Sequence, residues 1–245
     1  NNPMTKRDNI YSEPHTAVSG FVFDGKVAQV FSDMIKRSVP GYDTVINMTS
    51  VLANQYVQAD SRCYDLGCSL GASSMAMQSG IRVQGCTITA VDNSEDMLNQ
   101  ARGLLPPAGD GAPIELVCAD VMDIGMERAS MVVLNFTLQF IPLDRRLELL
   151  QRIHQALLPG GILVLSEKIT FEDAEEERLQ MEMHHAFKRA NGYNDLEISQ
   201  KRTALDNVLI PETLQQHRER LLAAGYSRAD LWFQCFNFVS LVAHR

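Results

Sequence analysis

The chain is poor in the features that would assign it to a specialised class. Its 245 residues include only five cysteines, an odd number with no C-x-x-C pair and no nearby histidine at zinc spacing. A disulfide framework and a metal site are both disfavoured on that count. Cys63, Cys86 and Cys118 fall in apolar, strand-like stretches, where a free thiol acts as a small buried hydrophobe in a reducing compartment, so the cytoplasm is the expected location. A basic excess is also lacking. Twenty-two Lys plus Arg against thirty Asp plus Glu leave a net charge of −8, which argues against a phosphate-binding surface and against direct contact with nucleic acid. No apolar run is long enough for a membrane span, since the best candidate, residues 131–141, is broken by Asn135, Thr137 and Gln139. What is present is 45% hydrophobic and 21% charged side chains, an ordinary globular composition with ample length for a full core.

Periodicity supplies the architecture. Val27, Val30, Phe31, Met34 and Ile35 lie on one face of a helix over 24–38, with Asp24 as N-cap. Pro40-Gly41 separates it from a second helix from about Asp43 to Tyr56. From residue 62 the pattern becomes short apolar runs alternating with helices: 62–66, 86–92, 114–118, 130–135 and 161–166, the last fed by a tight turn at Leu158-Pro-Gly-Gly161. Near-continuous apolar strands imply a parallel sheet covered on both faces, here a doubly wound α/β sheet. A helix over 172–189 follows, acidic at its start and basic at its end, as the macrodipole favours. Residues 193–208 have no clear period and read as a loop-rich insertion. A further helix over 211–224 precedes a hairpin-like pair of strands within 231–243, the last expected to be antiparallel.

The sharpest motif is Asp65-Leu-Gly-Cys-Ser-Leu-Gly71, directly after the first strand and before a helix. Glycines there let the backbone turn tightly and approach a ligand, although a pattern of this kind on its own is more often a packing turn. Asp92, 27 residues on at the tip of the second strand, can accept both hydroxyls of a ribose. Asp120 at the third tip can accept from an adenine amino group, and Asn135 ends the fourth strand. G-x-G-x-x-G is absent, which argues against a dehydrogenase. The constellation resembles the class I S-adenosylmethionine-dependent methyltransferases, a Rossmann-like fold with seven strands. Asn135-Phe-Thr-Leu is not the box that an exocyclic-amine methyltransferase uses, and no Pro-Cys nucleophile is present. Cys68 is expected to pack against a ligand, and a small-molecule substrate fits better than RNA or DNA.

At finer grain, Phe31-Ser-Asp-Met-Ile-Lys-Arg-Ser-Val-Pro-Gly-Tyr42, Tyr64-Asp-Leu-Gly-Cys-Ser-Leu-Gly-Ala72, residues 129–140, Phe187-Lys-Arg-Ala-Asn-Gly-Tyr193, Glu197-Ile-Ser-Gln-Lys-Arg202 and residues 231–238 resemble the carboxy-S-adenosylmethionine synthases. The resemblance implies a homodimer that converts S-adenosylmethionine and prephenate to carboxy-S-adenosylmethionine and phenylpyruvate without a metal. The product would be the donor for 5-oxyacetylation of the tRNA wobble uridine by another enzyme. The implied ligand contacts fall on Tyr42, Gly67, Cys68, Ser69, Asp92, Asn93, Asp120, Val121, Asn135 and Arg202. Arg202 is assigned the catalytic role, because a guanidinium can grip a newly formed carboxylate bidentately, whereas a methyl group offers it nothing. The division expected is a helical lid over 1–60 and an S-adenosylmethionine-binding domain over 61–245, in one compact unit.

Other candidates read more plainly. His184 and His185 cannot share a helix face, so one is expected inside and one solvated. Arg145, Arg146, Lys188 and Arg189 could meet prephenate carboxylates, but helix-surface charge is the default. Tyr193 is an even candidate for the pocket, and Trp232 and Phe233 for core or dimer contact. A conventional small-molecule methyltransferase is the alternative, followed by a non-catalytic cofactor-binding or tRNA-presenting subunit.

Overall fold

The apolar runs become the strands of a seven-stranded sheet: β1 Arg62–Leu66, β2 Thr87–Asp92, β3 Ile114–Cys118, β4 Ala129–Asn135, β5 Leu157–Lys168, β6 Arg228–Cys235 and β7 Phe238–His244. The computed structural model describes residues 5–15, 17, 20–107 and 109–245. Strand order is β3-β2-β1-β4-β5-β7-β6, parallel from β3 to β5, with β7 antiparallel to both β5 and β6. The doubly wound sheet and its antiparallel last strand are thus as the sequence predicts. Central β4 buries six consecutive residues, Ala129 to Leu134, because helices cover both faces of a parallel sheet and neither meets water. From β1 the chain runs outward through β2 and β3 and returns to β4. The carboxyl ends of β1 and β4 therefore diverge, and a crevice opens between them.

Helices α1 Gly25–Ser38 and α2 Tyr42–Tyr56 precede the sheet. Asp24 caps α1 by accepting from the backbone N–H groups of Lys26 and Val27, satisfying two donors that the first turn leaves free. Val27, Val30, Phe31 and Met34 form a small core with Phe21, Met97 and Ala204. α2 behaves differently, placing Ala53 in the core beneath β1, β4 and β5. The crossovers are α3 Ala72–Gly80, α4 Glu95–Leu104 and α5 Leu143–Ala156; α6 Ala174–Ala190, α7 Asp195–Leu205 and α8 Leu214–Ala223 follow β5.

Four expectations need correction. The segment 193–208 is mostly helix, α7, fixed by a capping box in which Asn194 and Glu197 serve each other's backbone N–H groups. Its buried positions include Glu197, Gln200 and Lys201 beside Ile198 and Ala204, so a search for apolar periodicity passes over it. Cys118 is exposed, unlike Cys63 and Cys86, because β3 is an edge strand. Leu158-Pro-Gly-Gly161 is a bulge inside β5: pairing to β4 jumps from Ala129↔Leu157 to Met131↔Ile162. Arg146 is fully buried instead of solvated. It donates to Glu212 at 2.5 Å and to the carbonyls of Ile141, Gln139 and Ile210, tying the short 3-10 helix Leu138–Phe140 to the segment before α8.

Candidate active site

The crevice deepens into a cavity of about 800 Å³, floored by the carboxyl ends of β1 to β5 and roofed by α1, α6 and α7. Gly67, φ +77°, opens the loop after β1, and a Cβ there would lie 2.3 Å from Thr137 Oγ1. Only glycine permits both that backbone conformation and that approach. The N–H groups of Gly67 and Cys68 donate to the Val91 carbonyl, each at 2.8 Å, which binds the loop to the neighbouring strand. Ser69 also adopts a left-handed φ of 50°. Its N–H donates to Asp92 Oδ2 at 2.9 Å, and the Ser94 N–H donates to Asp92 Oδ1 at 2.9 Å. Asp92 therefore joins two loops while each oxygen keeps acceptor capacity. Burial raises its pKa, and the two N–H donors oppose that rise.

Asp65 has a different task. Its carboxylate accepts from Ser74 Oγ at 2.7 Å, fixing α3 to the tip of β1, and it does not line the cavity. Burial pushes it up to about 7, partly offset by the Ser74 hydrogen bond and reinforced by the Asp92 charge. The Cys68 thiol lines the cavity but is raised by burial and by the Asp65 and Asp92 charges, which suits packing and not attack. Asp120 is exposed at the rim, with Oδ1 accepting from the Met122 N–H at 2.8 Å. Asn135 is held at both ends, donating to Ser73 Oγ at 3.0 Å and accepting from Ser166 Oγ at 2.6 Å.

A row of rings crosses the middle of the cavity. Phe136, at φ 60°, is in a conformation that a bulky residue rarely adopts. Its centroid is 6.3 Å from that of Tyr42 and 6.1 Å from that of Phe238, which lies 4.9 Å from the ring of His184. Burial drives the Tyr42 hydroxyl pKa upward, so it stays protonated. His184 is pushed down to about 2 by burial and by Lys188 and Lys168. The neutral ring donates from Nε2 to the Ser38 carbonyl at 2.7 Å. Beyond the rings, Lys168 at the end of β5, Lys188 on α6 and Lys201 on α7 line the far end.

Of the ten sequence-predicted contacts, Tyr42, Gly67, Cys68, Ser69, Asp92, Asn93, Asp120, Val121 and Asn135 line this one cavity; Arg202 is exposed and does not. Arg145 stands at the rim, paired with Glu148 at 2.9 Å. Tyr193 lies outside the cavity, its hydroxyl bonded to Asp8 and its ring beneath the Arg37 guanidinium at 3.9 Å. His184 is buried and His185 half-buried. Sequence reasoning missed Lys168, Lys201 and the rings of Phe136 and Phe238, for which no local pattern stands out. The described residues contain no cluster of three or more His, Cys, Asp or Glu able to hold a metal. An acidic hydroxyl-binding corner, an adjacent close-approach loop and a ring-lined centre fit a nucleoside carrying a sulfonium.

Comparison with known proteins agrees. Residues 63–161 match a family model described as a methyltransferase domain. A solved structure of a putative S-adenosyl-L-methionine-dependent methyltransferase from Methanococcus maripaludis superposes with a TM-score of 0.60 at 19% identity, over 94% of this chain and 97% of that one. This likeness speaks to the fold. A carboxy-S-adenosyl-L-methionine synthase from Trichlorobacter lovleyi is 56% identical over 242 residues, 98% of this chain and 99% of the relative. One from Citrifermentans bemidjiense is 54% identical over 241 residues, again 98% and 99%. With more than half its residues shared across almost its entire length, the chain belongs to the carboxy-S-adenosyl-L-methionine synthase family.

Proposed function

We propose that the chain converts S-adenosylmethionine and prephenate to carboxy-S-adenosylmethionine, phenylpyruvate and water, making a donor for 5-oxyacetylation of the tRNA wobble uridine. The observation that carries this reading is the opposed charge of one continuous cavity, acidic at the β1–β3 end and cationic at the β5 end. A methyltransferase acting on a neutral acceptor needs the first end and has no use for the second. In this reading Asp92 accepts the ribose hydroxyls, Asp120 the adenine amino group, and Val121 packs on the base. Gly67, Cys68, Ser69, Asn93 and Asn135 shape the methionine and ribose walls, and Tyr42 with Phe136 faces the sulfonium.

Prephenate loses its ring carboxylate and hydroxyl as carbon dioxide and hydroxide; the hydroxide takes a methyl proton, and the methyl carbon bonds to the carbon dioxide. The protein's part is to hold both substrates and exclude water until that bond forms. Most substrate contacts come from 61–245, joined by Tyr42 at the start of α2, while α1, α6 and α7 form the lid. α2 belongs with the sheet. Exposed on α7, Arg202 reaches the new carboxylate from a second copy in a homodimer. Mixing Arg202→Leu with Asp92→Asn, at an S-adenosylmethionine concentration too low to fill the Asp92→Asn site, should then restore activity that neither has alone. No recovery on mixing would remove Arg202 from that role. Incubation with both substrates should add about 44 mass units, a carboxyl in place of hydrogen, to the sulfonium substrate. Absence of that gain in active, folded protein would refute the reading. The site's demand for two small molecules is consistent with an acidic chain that does not dock tRNA.

A further inference from the structure

Three lysines converge where the cavity ends, and none forms an ion pair among the described residues. Lys188 is 7% exposed and Lys201 is 9% exposed. They come from three elements: Lys168 closes β5, Lys188 is in the last turn of α6, and Lys201 is in the middle of α7. Lys201 Nζ donates to Ser38 Oγ at 3.0 Å, whereas Lys188 Nζ and Lys168 Nζ have no hydrogen-bond partner among the described residues. Buried amines without counter-ions are costly to charge, so a fold that gathers two of them and the half-buried Lys168 around open space is prepared for an anion.

We propose that Lys168, Lys188 and Lys201 form the carboxylate-binding subsite for a small organic dianion, the dicarboxylate substrate of the reaction proposed above, on which this inference rests. Strand order separates this subsite from the cofactor. Adenine, ribose and methionine walls follow β3, β2 and β1, the sulfonium end falls near Asn135 of β4, and the lysines begin one strand further, at β5. The ring row Tyr42, Phe136, Phe238 lies between, a surface on which an unsaturated six-membered ring can rest.

The charges around the cluster are mutually repulsive. Lys188 is lowered by burial and then by Lys201, Lys168 and Arg202; Lys168 by burial and Arg202; Lys201, to about 8, by burial, Lys168 and Arg37. His185 and neutral His184 stand on α6 beside them. Only Asp8, facing Lys201, and Glu177, facing Lys168, act in the other direction. Lys201, brought to about 8, is only partly charged near pH 8, so an arriving dianion completes its charge and binding takes up protons.

The test is calorimetry of prephenate binding to the full chain saturated with S-adenosylhomocysteine, which cannot react, in two buffers of different ionisation enthalpy at pH 8. Wild-type protein should bind with net proton uptake. Lys188→Met and Lys201→Met, each replacing a buried cation by an apolar chain of similar length, should weaken prephenate by tenfold or more, reduce the uptake and leave S-adenosylhomocysteine affinity within about twofold. Unchanged prephenate affinity in folded variants that still bind S-adenosylhomocysteine overturns the subsite. So does a selective loss of S-adenosylhomocysteine affinity, which would give the lysines to the methionine carboxylate. Because no turnover is needed, tight lysine-dependent prephenate binding without carboxylated product would overturn the reaction and leave the subsite standing.

Discussion

At the β1–β3 end of the cavity, carboxylates sit at strand tips, and their positions are set by backbone N–H groups of the strand-tip loops. At the β5 end, cations are brought together from a strand and two helices, and among the described residues only Lys201 is anchored by a side chain, the Ser38 hydroxyl. The first end is local and preformed: Asp92 holds both the loop it belongs to and the loop beside it. The second exists only when α6 and α7 are docked. On the proposed reading, one end recognises a constant nucleoside, and the other can be assembled around whatever anion the chemistry requires.

The largest effect that could break this contrast is expected from Asp92→Asn. It keeps one oxygen for a backbone N–H but loses the charge and half the acceptors. At about 1.5–3 kcal/mol for a hydrogen bond to a charged group, S-adenosylmethionine affinity should fall by one to two orders of magnitude in a titration, with folding retained. An affinity within threefold of wild type would mean that the acidic end does not read the ribose. Asp65→Asn sharpens the same end, since Asp65 is adjacent but walled off from the cavity. Its affinity change should be small and its stability change pH-dependent. The carboxyl titrates near 7 in the folded chain against an ordinary 3.8, so the native state holds the proton more tightly than the unfolded one. Its stabilising contribution is complete below 3.8 and is lost as pH rises through 7, at up to about 1.4 kcal/mol per pH unit. Urea denaturation should show the variant gaining on wild type between pH 5 and 7; parallel curves would contradict a buried ionising carboxyl. The smallest effect concerns the lysine end. Asn194→Ala removes the α7 cap and should cost about 1 kcal/mol, with KM for prephenate raised severalfold and affinity for S-adenosylmethionine unaltered. Equal changes in both would show that the two ends are not independent.

The contrast also explains what was legible in the chain. Strands β1 to β5 declare themselves as apolar runs, and the Asp65-to-Asp92 spacing locates two strand tips, because local backbone geometry places those residues. α7 is hidden because its inward residues are polar. Lys168 ends an apolar run and Lys188 closes an amphipathic helix, positions that look solvated until the tertiary structure turns them inward. Arg146 is hidden for the same reason, its partners Glu212 and Ile210 lying more than sixty residues away. The resemblance to a family supplied the nine cavity-lining positions together, whereas the residue chosen for catalysis, Arg202, is the one its own chain leaves outside.

The polar inward face of α7 has a consequence for how the cavity opens. With Ile198 and Ala204 as its buried apolar residues, the helix has little hydrophobic burial to oppose its release, and Gln200, which bonds the carbonyls of Tyr11 and Glu13, would leave together with the segment it clasps. Such an element belongs to the low-stability end of a protein's local unfolding spectrum. Amide hydrogens of 195–205 should exchange orders of magnitude faster than those of β4 and slow markedly when a dicarboxylate binds. The door and the anion detector would then be one piece of chain, so that the substrate itself latches the entrance behind it.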